Sequence, residues 1–259
     1  MRSSLRLGLV MLVFLVACSK APTTNISRAD LLAQAKQGDA YSQYQMGVYL
    51  SNGDGLEKDE ISAAQWYMKA SEQGFAEAQY NLGYMFLNGF GVDEDKVEAY
   101  RLWKSAAEQG FAEAQFNLAL MYKQGDGIGK SSVDSLNWLL KAAGQGHANA
   151  QFNLGVLYGV GEEVELDEEK AFYWYLKAAR QGNENAKIIV GGRYHEGIGV
   201  AKDKVRGHAW LLLGTTELSK SYLNSYMQRF DMTEDQIKQA EDLAESCRAS
   251  NYQSCQDYL

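Results

Sequence analysis

The chain has 259 residues and a formal net charge of -8, with 33 acidic against 25 basic side chains. No stripe of Lys and Arg is present to release counterions from phosphates, which excludes nucleic acid as a partner class, and none flanks the amino terminus to engage acidic lipid headgroups. A basic protein surface suits the charge better, although an acidic balance also serves solubility alone.

The first element, residues 1–17, carries Arg2 and Arg6, an apolar run from Leu7 to Val16, and then Leu15-Val16-Ala17-Cys18. Such a run is too short to span a bilayer as a permanent helix and has the form of an export signal. Cleavage after the small pair Ser19 and Ala21, as in an ordinary secretory leader, would leave Pro22 following the scissile bond, a poor peptidase substrate. Leu-Val-Ala-Cys resembles the lipobox of bacterial lipoproteins, which implies cleavage before Cys18 and acylation of its thiol and new amino group. Several acyl chains hold a protein to a membrane far better than one. Ser19, in place of the Asp that marks inner-membrane retention in enterobacterial lipoproteins, implies by the same resemblance the periplasmic leaflet of the outer membrane. Losing the leader removes two arginines and no acids, which takes the formal charge from -8 to -10.

Residues 18–26 read as a polar tether. Ser27-Arg-Ala-Asp30 reads as a variant capping box opening a short helix over residues 27–36, half of a repeat that closes the amino-terminal end. A block of 36 residues is then written five times over residues 37–216, opened by Gln37-Gly38, Gln73-Gly74, Gln109-Gly110, Gln145-Gly146 and Gln181-Gly182. That period means one helical hairpin per copy, unable to bury its apolar face alone, so that stacking creates a continuous core.

Within the copy beginning at Gln73, Ala78, Leu82 and Phe86 form the apolar stripe of a first helix. Gly83 lies beside it and recurs as Gly47, Gly155 and Gly191, with Ala119 in the third copy; glycine costs ~1 kcal/mol inside a helix, so its recurrence predicts close approach of the paired helix. The Gly-x-Gly at Gly89 and Gly91 recurs as Gly53/Gly55, Gly125/Gly127 and Gly197/Gly199 and marks the reversal, with Glu162-Glu163 replacing the second glycine in copy four. Asp59, Asp95, Ser131, Asp167 and Asp203 follow as N-caps of second helices carrying Trp66, Trp103, Trp138, Trp174 and Trp210. The tryptophans read as core rather than ligand stackers, with Trp103 displaced by one position.

Ala-x-Ala-Gln-x-x-Leu-Gly-x-x-Tyr, Gly-x-Gly-Val, Asp, Ala, Trp and Lys-Ala-Ala together resemble the Sel-1-like repeat, a relative of the tetratricopeptide repeat. The resemblance implies an all-α, right-handed α/α superhelical solenoid of antiparallel helix pairs, a scaffold or adaptor for protein complexes that is often exported in bacteria. It also allows a narrower role, immunity against a secreted phospholipase-type toxin. Copy five departs from the pattern, having Lys187, Ile189 and Leu211-Leu212-Leu213.

In solenoids of this type first helices line the concave face. The residues opposite Leu82 recur as Asn81, Asn117 and Asn153, read as a hydrated ladder able to bond the backbone of a bound segment, with Tyr84, Leu120 and Val156 supplying apolar contact. The alternative is that these asparagines cap or bridge adjacent repeats.

Residues 217–259 read as a carboxy-terminal cap of two helices, Ser219 to Phe230 and Thr233 to Arg248, the latter opened by the capping box Thr233-Glu-Asp-Gln236. Cys247 and Cys255 are a disulfide pair candidate in an oxidising compartment, or two buried thiols. On one continuous helix they would lie ~12 Å apart, so a bridge requires a turn near Ser250-Asn251.

Signs of catalysis are missing. Gly125-Asp-Gly-Ile-Gly-Lys-Ser131 is one residue short of a phosphate loop and follows a helix. His147, His195 and His208 have no partners at metal-ligand spacing. Some cysteine-rich members of the same repeat family bind or hydrolyse β-lactams, but no Ser is followed three residues later by Lys and no Lys-Thr-Gly or Gly-x-Ser-x-Gly occurs. The expectation is a non-enzyme with no metal, cofactor or small-molecule substrate and with an unidentified protein as partner.

Overall fold

The structure, a computed structural model, describes residues 27–54, 57–214 and 231–249. Among these there are twelve α-helices and no strand. They run α1 (Arg28–Lys36), α2 (Ala40–Asn52), α3 (Glu60–Glu72), α4 (Ala76–Asn88), α5 (Lys96–Glu108), α6 (Ala112–Gln124), α7 (Ser132–Gly144), α8 (Ala148–Val160), α9 (Glu168–Arg180), α10 (Glu184–Glu196), α11 (Lys204–Gly214) and α12 (Glu234–Ala249). Helices pack as successive antiparallel pairs, α2 with α3 through α10 with α11, and each pair packs on the next. This is the all-helical solenoid expected from the repeat. None of the described helices is long and apolar enough to cross a membrane.

Each hairpin is punctuated by the expected residues. Asp59, Asp95, Ser131, Asp167 and Asp203 accept backbone N–H bonds at the starts of α3, α5, α7, α9 and α11, satisfying donors that a helix start leaves open. Ser131 therefore caps a helix, and the loop from Gly125 that resembles a phosphate loop is the reversal between α6 and α7. The second glycine of the Gly-x-Gly in copies two, three and five does more than permit a turn. A Cβ at Gly91, Gly127 or Gly199 would stand 2.2, 2.7 or 2.0 Å from the carbonyl oxygen of Glu60, Lys96 or Glu168, the first residue of the preceding repeat's second helix.

The mid-helix glycines set how closely the two helices of a pair approach. A Cβ at Gly47, Gly83, Gly155 or Gly191 would come within 2.6 to 2.7 Å of Tyr67, Trp103, Tyr175 or Leu211, each twenty residues later. In the third pair the relation is Ala119 with Leu139, both buried, so a smaller partner on one helix accompanies the added methyl on the other. This explains the displaced tryptophan: Trp103 occupies the position facing the glycine, and Leu102 fills the site where the other copies carry Trp. Trp103 and Trp210 are fully buried. Trp66, Trp138 and Trp174 are half-buried wedges against the preceding repeat, with Lys69 and Lys141 lying 4.3 and 3.8 Å over the first two rings.

Both ends are closed. Ser27 Oγ caps α1 and donates to Asp30 at 2.6 Å. At the other end Thr233 and Gln236 form the reciprocal capping box, and α12 lays Ala240, Ala244 and Cys247 against Trp210 and Leu213. The expected helix from Ser219 to Phe230 lies outside the described residues, as do Cys18 and Cys255.

The helix-pair constraint predicts a rescue. Gly83→Ala should destabilise the protein by about 1–3 kcal/mol despite the better helix propensity of Ala, because the methyl overlaps Trp103. In a Trp103→Leu background, which reproduces the natural Ala119–Leu139 pair, the same substitution should become neutral or stabilising. Urea unfolding of the four proteins of this cycle measures the coupling; simple additivity would show that the two positions do not constrain each other.

Candidate protein-binding face

The exposed side of the first helices is built over a buried polar floor. Gln43, Gln79, Gln115 and Gln151 each stand four residues into a first helix and donate Nε2 to Ala35, Ser71, Ala107 and Ala143 carbonyls in the preceding turn, at 3.1, 3.4, 3.0 and 3.0 Å. Each also accepts, through Oε1, from the glutamine that ends the next second helix: Gln73, Gln109, Gln145 and Gln181, at 2.8, 2.8, 2.8 and 2.6 Å. Two of these glutamine positions stand in the repeat motif, yet their pairing was not read from the sequence, and the signal that could have shown it is their fixed separation of 30 residues. The ladder stops where Lys187 replaces the next glutamine, buried and bonded to Glu184 at 2.9 Å.

Above this floor the expected hydrated asparagines are corrected. Asn81 and Asn117 are each only 8% exposed. Asn117 Nδ2 donates to Tyr80 Oη of the preceding repeat at 3.4 Å, and Asn81 lies beside the phenols of Tyr44 and Tyr67 of its preceding repeat. They bridge repeats, because a tyrosine 37 residues earlier reaches across the junction. The third rung differs: Phe116 stands where Tyr44 and Tyr80 stand, it has no hydroxyl, and Asn153 is half-exposed. Burial, reinforced by Tyr67, pushes the Tyr44 phenol up to about 12, so it remains a protonated donor.

Aromatic pairs seal the same face. Tyr44 meets Phe75 at 5.1 Å, Tyr80 meets Phe111 at 5.2 Å, and Phe116 stacks on His147 at 4.6 Å. His147 caps α8 through Nδ1, and burial lowers its pKa. His195 and His208 are buried, and burial followed by the proximity of His208 lowers His195 to about 4. Among the residues that stay partly exposed is a row 36 residues apart: Tyr84, Leu120 and Val156, with Val48 before them.

One cavity of about 320 Å³ opens beside this row, where the first two repeats meet. Tyr67, Asn81, Tyr84 and Phe90 line it, and Lys58 and Glu60 bring charge to it. Of these, only Asn81 and Tyr84 were singled out from the sequence. Glu60 and Phe90 belong to a second helix and a loop, and only the stacking of two repeats brings them to the first-helix face.

The floor is testable by substitution. Gln115→Met keeps the volume but removes two hydrogen bonds, the donation to the Ala107 carbonyl, which Gly110 N–H still bonds at 3.0 Å, and the acceptor of Gln145 Nε2; at about 0.5–1.5 kcal/mol each it should cost about 1–3 kcal/mol in urea unfolding. Gln124→Met, on the exposed end of the same helix, should stay within about 0.5 kcal/mol. Equal effects would mean that the ladder carries no special weight.

The structure resembles solved repeat proteins. A Sel1 repeat protein from Oxalobacter formigenes is 31% identical with a TM-score of 0.72, over 77% of this chain and 58% of that one, so this chain spans less than two thirds of its length. An immunity protein from Pseudomonas aeruginosa is 20% identical over 80% of this chain and 81% of that chain, with a TM-score of 0.48. A protective antigen of uropathogenic Escherichia coli strains displaying an SLR fold is 26% identical over 90% and 66%, with a TM-score of 0.38. No curated protein matches the chain. The Sel1 repeat itself matches residues 40–75, 76–111, 112–147, 148–183 and 186–215, each match beginning on or just after the start of a first helix. With well over half of its length covered in this way, and with the same hairpin recurring in the structure, the chain belongs to the Sel1 repeat family.

Proposed function

We propose that this chain is an envelope adaptor that binds another protein through the face of its first helices. The observation that carries this reading is the row Val48, Tyr84, Leu120 and Val156. Helix pairing accounts for the glycines, alanines and glutamines; it leaves this row partly open and apolar, with Val in the first and fourth copies and Tyr and Leu between them, as an interface anchor requires. The Sel1 scaffold supports a protein partner, since its repeats present extended surfaces rather than enclosed reactive sites. Asn153, without a tyrosine to hold it, is the asparagine of the three best placed to bond a partner.

The placement of the adaptor is proposed from the sequence alone. Acylation at Cys18 would tether it to the outer membrane facing the periplasm, with residues 19–26 as spacer. A bridge from Cys247, whose side chain is buried against the last repeat, to Cys255 would pin the cap there. Neutralisation of a secreted phospholipase-type toxin is the narrower form of the same reading, with one tight stoichiometric partner.

A second row tests the choice of face. Ile61, Val97 and Val133 are 62%, 62% and 71% exposed at the starts of second helices. With a photo-crosslinking residue at Leu120, cells should yield an adduct of the tethered protein with one partner, and with the same residue at Val133 they should not. An adduct from Val133 alone would place binding on the other face. Mass spectrometry of the same material should show an acylated Cys18 as the amino-terminal residue.

A further inference from the structure

The junction between the fourth and fifth repeats already contains what the cavity between the first two lacks. There Arg193 of α10 donates Nη1 to Glu168 Oε2 at 2.6 Å, and its guanidinium carbon lies 5.2 Å from the centre of the Tyr175 ring. Gly159 gives it room: a Cβ there would stand 2.9 Å from Arg193 Nη2. The arginine side chain is only 13% exposed. The junction thus holds a guanidinium between a carboxylate and an aromatic face, the two groups for which its planar fork and diffuse charge are suited.

Three repeats earlier, 108 residues back in sequence, the equivalent residues are Glu60, Tyr67, Ser51 and Met85. The carboxylate and the ring are kept. The arginine has become methionine, and the cavity of about 320 Å³ is lined by these same four residues. Neither intervening junction repeats the pair, since Lys96 with Trp103 and Ser132 with Leu139 stand there. Only the first and fourth junctions combine Glu with Tyr, and only the fourth supplies its own arginine.

We propose that the cavity between the first two repeats receives an arginine side chain of the protein partner, seated on Tyr67 and paired with Glu60 as Arg193 is seated on Tyr175 and paired with Glu168. This rests on the reading that the first-helix face binds protein, since Asn81 and Tyr84 of that face line the same cavity. Glu60 now pairs with Lys58 at 2.7 Å, but their side chains are 35% and 59% exposed, so the pair is weak and exchangeable. Tyr84 and Phe90, 5.9 Å apart, offer further ring surface to the aliphatic stem. The net charge of -8 draws a cationic segment toward the protein.

The probe is N-acetyl-arginine amide, which mimics an arginine within a chain, followed by amide NMR shifts of the folded protein. Saturable shifts at Glu60, Tyr67 and Tyr84 are expected with a dissociation constant on the order of millimolar. The citrulline analogue, of the same shape but uncharged, should bind at least about ten-fold more weakly. Glu60→Gln should weaken the arginine probe by a similar factor, Lys58→Ala should strengthen it, and Met85→Arg, which rebuilds the Arg193 arrangement, should abolish it. Glu60→Gln is a partly exposed change that leaves the fold intact, so the test does not depend on the folding of Met85→Arg. Equal binding of citrulline, or arginine binding indifferent to Glu60→Gln, overturns the assignment. A partner crosslinked at Leu120 without any binding of the arginine probe also overturns it and leaves the face reading standing. Arginine binding at Glu60 and Tyr67 without a partner at Leu120 supports it and counts against the face reading.

Discussion

The structure depends on a buried glutamine at every repeat junction but the last, where Lys187 stands instead. Gln79 shows the arrangement: its amide reaches back to the turn ending α3 through Ser71 and accepts from the turn ending α5 through Gln109. One side chain therefore ties two successive turns and fixes the rise from one repeat to the next. Apolar packing alone would tolerate a slide of one hairpin on another, because burial is non-directional. A hydrogen-bonded amide does not tolerate it, since a shift of an ångström or two breaks both of its bonds at about 0.5–1.5 kcal/mol each. The ladder sets the register, and the apolar core supplies most of the binding between repeats.

Within that register the helix pairs are matched by volume. Glycine on the first helix accepts Tyr67, Trp103, Tyr175 or Leu211 from the second, and Ala119 accepts Leu139. A close-packed interior leaves little slack at these positions. Variation is left to places outside the ladder and these glycine contacts: Tyr84 and Leu120 of the row, and the residues around the loops. The cavity beside Tyr67 arises in this permitted zone. Methionine at position 85 in place of an arginine leaves a ring and a carboxylate with space between them, whereas Arg193 fills the equivalent space three repeats later.

The hairpins were legible in the sequence because their signals are local. An Asp that caps its own helix, a glycine that reverses the chain, and a stripe at helical spacing each act within a few residues, and a 36-residue period repeats the signal five times. The face was less legible because its residues are positioned by the neighbouring repeat. Asn81 and Asn117 stand about 100° from Leu82 and Leu118 on a helical wheel, off the main apolar stripe, and so read as hydrated, but a wheel does not show Tyr44 or Tyr80 arriving from 37 residues earlier. Glu60 and Phe90 escaped notice for the same reason. Trp103 is the converse: its one-residue displacement is visible in sequence, and only the contact with Gly83 gives it meaning.

The central claim is that the invariant parts of the repeat build the solenoid and that recognition is confined to the first-helix row. Hydroxyl-radical footprinting of the protein, free and saturated with its purified partner, reads this at side-chain level. Tyr84, Leu120 and Val156 should lose reactivity on binding, while Ile61, Val97 and Val133 keep theirs. Protection of Ile61, Val97 and Val133 with Tyr84, Leu120 and Val156 unchanged would contradict the account.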